Sequence, residues 1–139
     1  MSVVKWGLLY FSAGLFFFIL DFFWLAILAA PMYQSYLGVL LAEKPVIVGA
    51  VLFYLMYLSG ILYFGVRPAI EKSSLSLSLL HGSLFGFYCY ATYELTNWAL
   101  IKNWPVGLLV PDILWGTFLT GTTSGLTYFI YHRWLKTKF

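Results

Sequence analysis

Four apolar stretches, each long enough to cross a lipid bilayer as a helix, fill most of this chain and decide what it can become. The first runs from about residue 6 to 30 and meets Pro31; the second runs from about 46 to 66 and meets Arg67-Pro68. The third covers about 75–101, broken by polar residues but still of spanning length, and the fourth covers about 111–132, opening on Pro111. A spanning helix takes ~20 residues. Proline just past a helix end, or at a first helical position, is the ordinary punctuation of such segments. The sequence therefore predicts an all-α protein, an integral membrane four-helix bundle forming a single transmembrane domain over residues 1–139.

Composition agrees and removes alternatives. Charged residues make up 9% of the chain, against roughly 25% in a soluble domain. Four spans and their connections leave no length for a soluble catalytic domain. The first run exceeds the 7 to 15 apolar residues of a signal-peptide core, and Pro31 would follow its cleavage site at Ala29-Ala30, so it is expected to stay as a helix. The one cysteine, Cys89, can form neither an internal disulfide nor a thiolate cluster. The net charge of +3 comes from basic residues at helix ends, which fix topology and do not make a nucleic-acid surface. Lys5, Arg67, Lys72, Arg133, Lys136 and Lys138 fall on one side, with Lys44 and Lys102 on the other. By the positive-inside rule both termini are expected on the cytoplasmic side of an inner membrane. The connection from Pro31 to Pro45, with Tyr33, Tyr36 and Leu37, is either a plain loop or a segment lying at the interface, where Trp6, Trp104 and Trp134 would also anchor.

Three carboxylates stand where chemistry is expected: Asp21 in the first helix, Glu94 in the third and Asp112 at the start of the fourth. A charge near mid-bilayer costs ~2.5 to 3.5 kcal/mol on insertion scales, so such groups face the bundle interior and often serve function. From the helical rise, Asp21 and Glu94 lie ~15 Å and ~12 Å below the outer boundary. All three then sit in the outer half, around an outward-opening polar pocket. At 100° per residue, Tyr90, Glu94, Asn97 and Trp98 share one face of the third helix. Each acid also precedes a tryptophan by about one turn: Asp21 and Trp24, Glu94 and Trp98, Asp112 and Trp115. Indole faces beside carboxylates suit a cationic or amphipathic ligand. The competing readings are structural: Asp112 as a helix-start cap behind Pro111, and Glu94 and Asp21 as hydrogen-bonded packing residues.

Two glycine pairs, Gly82 with Gly86 and Gly121 with Gly125, mark faces where helices pack closely, within the chain or in a homodimer. His81 and His132 are far from the carboxylates and lack a third ligand, so no metal site is expected. A serine or histidine triad and a phosphate loop are absent.

The strings Asp21-Phe22-Phe23-Trp24-Leu25, Gly86 followed by Tyr90 through Asn97, and Asp112-Ile113-Leu114-Trp115-Gly116 carry a resemblance covering most of the chain. The sequence resembles the small bacterial membrane proteins of domain-of-unknown-function family 2177. That resemblance implies a four-helix inner-membrane protein whose carboxylates form one site. The family pattern has aspartate where this chain has Glu94, one methylene longer.

The leading expectation is a protein that binds a cation or small amphipathic ligand, as a transporter or carrier component. Asp21, Glu94 and Asp112 would be its acids, and Trp24, Tyr90, Asn97, Trp98 and Trp115 would shape the pocket. The second is an intramembrane enzyme for a lipid or isoprenoid-like substrate, and the third a structural subunit of a larger complex. Beyond the lipid bilayer, no partner or cofactor is specified by the residues.

Overall fold

A computed structural model describes residues 1–137, and those residues form four helices with no strand. Helix α1 runs Val3–Leu37 and α2 runs Ile47–Lys72; both are long and apolar enough to cross a membrane. Helix α3 is Leu75–Leu100, and α4 is Val106–Ile130, extended by a wide turn over Tyr131–Leu135. Lys138, counted above in the charge bias, lies outside the described residues.

Three expected boundaries are corrected, and each involves a proline that the helix absorbs. Pro31 does not end α1, because a π-helical segment, Trp24–Ala29, comes just before it and the helix continues to Leu37. Pro68 follows a second such segment, Ile61–Val66, and α2 continues to Lys72. A proline leaves the carbonyl four residues earlier without its donor, and the wider i→i+5 turn accommodates that gap. Tertiary contact sustains the α1 extension: Met32, Tyr33 and Leu37 pack on buried Trp104, Leu108 and Leu109. Residues 31–37 are therefore helix and not connection. In α4, Pro111 lies inside the helix, which starts at Val106 behind the cap position Pro105. Asp112 is thus in the second turn, where it cannot cap the helix start.

The most extensive helix contact joins α3 to α4, antiparallel partners linked by a short turn in which Asn103 has φ of 61°. Its seam is built from small and hydroxylated residues. Ser78 and Ser124 share a hydrogen bond of 2.8 Å, and Tyr57 from α2 shares one of 2.8 Å with Thr120. All four glycines singled out in the sequence face this seam. Gly82 lies against Ser124 and Thr120, Gly86 against the Gly116 carbonyl and Thr120, Gly121 against Ser83, and Gly125 against Leu79. A Cβ at any of them would overlap these atoms, so the backbones approach as closely as glycine permits. These faces are occupied by contacts within the chain.

This seam also explains why α3 and α4 are less apolar than α1 and α2: their hydroxyls turn toward each other. Helix α1 buries a single stripe at four-residue spacing, Leu9, Ala13 and Phe17, below Lys5. The stripe packs on Tyr57, Leu58 and Ile61 of α2 and Leu119 of α4. The opposite surfaces, including Phe11, Phe18, Phe22, Val48 and Leu52, are exposed and apolar. Residues 47–56 of α2 contain no buried position, so this half of α2 leans away from α3.

Candidate functional site

Splaying of α2 from α3 leaves a groove of about 650 Å³ on the side of the bundle. Its walls are mostly aromatic, with Phe53 and Tyr57 from α2 and Phe85, Tyr88, Tyr90 and Tyr93 from α3. The one carboxylate among its lining residues is Asp112. Tyr90 reaches this position because Gly116 on α4 has no side chain to obstruct its ring.

Behind the groove the acids are tied together by aromatic donors from several elements. The Tyr33 hydroxyl donates to Asp112 Oδ1 at 2.6 Å and receives the Trp24 indole N–H at 3.4 Å. The Trp24 ring lies on Trp115, with centroids 4.6 Å apart and planes 5° from parallel. Trp115 donates to Asp21 Oδ1 at 3.4 Å, and the Tyr54 hydroxyl donates to Asp21 Oδ2 at 3.4 Å. Glu94 is fully buried and accepts the Trp104 indole N–H on Oε2 at 2.9 Å. Among the described residues its Oε1 meets no donor. The other side chain in hydrogen-bonding range of the Glu94 carboxyl is that of Asp112, itself a carboxyl.

The pairing of acids and tryptophans differs from the one expected. Asp21 takes its indole from Trp115 of α4 and not from Trp24 one turn away; Glu94 takes Trp104 and not Trp98. Trp98 is 52% exposed, and Asn97 neighbours Tyr93, so neither joins the carboxyls. Asp21, Trp24, Tyr90, Glu94, Asp112 and Trp115 are brought together. They do not line one shared pocket: Asp112 faces the groove, Glu94 is sealed behind it, and Asp21 lines a separate recess of about 250 Å³ between α1 and α2.

Tyr33, Tyr54 and Trp104 are site residues that the sequence reading left out. Tyr33 sat beyond a proline read as a stop, and Trp104 sat in a connection read as an interfacial anchor. Both are polar-tipped aromatics close in sequence to an apolar run, a signal too common in this chain to single them out.

A buried network of carboxyls inside an all-helical bundle with an apolar exterior is the construction of a helical membrane protein. Family-level comparison agrees: residues 6–129 match the predicted membrane protein family DUF2177, and the chain belongs to that family. No curated protein and no solved structure matches the chain.

Proposed function

We propose that this protein binds a membrane-dissolved amphipathic molecule with a cationic head, seated on Asp112, and with its apolar part in the groove between α2 and α3. The carrying observation is that Asp112 supplies the one carboxylate of a mostly aromatic groove opening on the side of the bundle. Its volume falls in the ~300 to 1,000 Å³ range of small-molecule sites. Ring faces attract a cation and the carboxylate neutralises it. Among the described residues no three of His, Cys, Asp and Glu converge on one point, so the donor set favours an organic cation over a bare metal ion.

In this reading all four helices span the bacterial inner membrane, with both termini cytoplasmic, and the groove opens toward lipid. The protein then serves as a carrier or transporter component. The sideways opening also favours a second reading, an intramembrane enzyme that uses Asp112 as general acid or base on a lipid or isoprenoid-like substrate.

The test is binding of decyltrimethylammonium to the protein in lipid nanodiscs, followed by tryptophan fluorescence against empty nanodiscs. Saturable binding weakened about tenfold by Asp112→Asn, equivalent to ~1.4 kcal/mol, supports the site. Binding indistinguishable from that of empty discs, or equal in the variant, rejects it.

A further inference from the structure

The Glu94 and Asp112 carboxyls lie in hydrogen-bonding range of each other, yet neither side chain offers the other a donor while both are ionised. Glu94 Oε2 is occupied by the Trp104 N–H, and Oε1 is buried with nothing donating to it. Asp112 accepts from Tyr33 and reaches the groove. No lysine, arginine or histidine among the described residues bonds to either carboxyl. Two adjacent buried charges of the same sign, each costing several kcal/mol to desolvate, have no counter-ion to hold them. A single proton removes the conflict: on Oε1 it turns the orphaned atom into a donor, and the Asp112 carboxylate becomes its acceptor.

We infer that Glu94 is a protonated positioning residue that donates from Oε1 to Asp112, fixing that carboxylate at the groove wall and leaving one negative charge for the ligand. Two features of the geometry place the proton on Glu94. It is the more enclosed acid, fully buried where Asp112 is 6% exposed. It also has a buried oxygen, Oε1, that meets no donor among the described residues, whereas neither Asp112 oxygen is buried without a partner. Asp112 carries the charge, held by the Tyr33 hydroxyl on one side and the Glu94 O–H on the other. The charge is then single, which matches a monovalent head group without loss of the proton.

The ligand side of this inference rests on the binding site proposed above; the proton itself does not. The experiment joins infrared spectroscopy of the ligand-free protein at neutral pH to decyltrimethylammonium binding in nanodiscs, for the native chain, Glu94→Gln and Asp112→Asn. Glutamine keeps both an acceptor for Trp104 and a donor for Asp112. The expected result is a protonated-carboxyl band that disappears in Glu94→Gln, with binding by that variant within about threefold of native and binding by Asp112→Asn reduced about tenfold. If Glu94→Gln loses binding as fully as Asp112→Asn, Glu94 is a charged ligand and the inference falls while the site stands. Absence of any carboxyl band assigned to Glu94 overturns it outright. If the native protein does not bind the probe, the proposed site falls, and the infrared band alone decides whether the proton is where we place it.

Discussion

The indole rings of Trp24 and Trp115 lie face to face, 4.6 Å apart and 5° from parallel, and they send their N–H groups in different directions. Trp24 points to Tyr33 and so to Asp112, while Trp115 points to Asp21. The stack thus locks α1 to α4 at the level of the acids. Aromatic pairs contribute ~0.5 to 1.5 kcal/mol beyond area burial. A double-mutant cycle on Trp24→Ala and Trp115→Ala, read by thermal unfolding in detergent, should return a coupling in that range. Strict additivity of the two variants would show that the stack contributes nothing of its own.

Trp104 and Trp98 stand near the same helix end but in opposite circumstances. Trp104 is buried and donates to a buried carboxyl; Trp98 is half exposed and, among the described residues, donates to neither acid. Removing the N–H with Trp104→Phe should cost about 1 to 3 kcal/mol, because Glu94 then loses its donor. Trp98→Phe should change stability by less than about 0.5 kcal/mol. Equal effects in a denaturation series would contradict this division.

Tyr33 holds Asp112 through the shortest hydrogen bond in the network, 2.6 Å. Tyr33→Phe keeps the ring and its packing on Trp104 and Leu108 while deleting the hydroxyl. A loss of about 1.5 to 3 kcal/mol is expected, as for a bond to a charged group, together with weaker decyltrimethylammonium binding. A variant as stable as the native protein would mean that Asp112 finds another donor.

Glycines divide sharply by position. A Cβ at Gly116 would enter the Tyr90 ring, and one at Gly86 would meet the Gly116 carbonyl, whereas Gly7 and Gly49 have nothing within 4 Å. Alanine at Gly116 or Gly86 should destabilise by about 1 to 3 kcal/mol through overpacking. Alanine at Gly7 or Gly49 should be neutral or stabilise by up to ~1 kcal/mol through helix propensity. Unfolding midpoints of the four single variants would test the contrast, and a uniform response would overturn the close α3–α4 packing.

Four helices and their approximate centres were legible from the sequence. Apolar length and the rarity of charge leave a chain like this few alternatives. Helix ends were less legible. Each proline carried a valid local signal, but a π-helical segment before Pro31 and Pro68, and contacts made by residues beyond Pro31, outweighed it. The glycine pairs were correctly seen as close-packing faces, yet spacing on one helix cannot say which neighbour fills it.

Tertiary structure alone decided which tryptophan serves which acid, that Tyr33 and Trp104 belong to the site, and that Asp112 faces a groove while Glu94 is sealed behind it. Periodicity along one helix reports which residues share a face, because that depends only on the angle per residue. Donor and acceptor pairing between helices depends on rotation and depth of one rod against another, and the packing of the whole small-residue seam sets both.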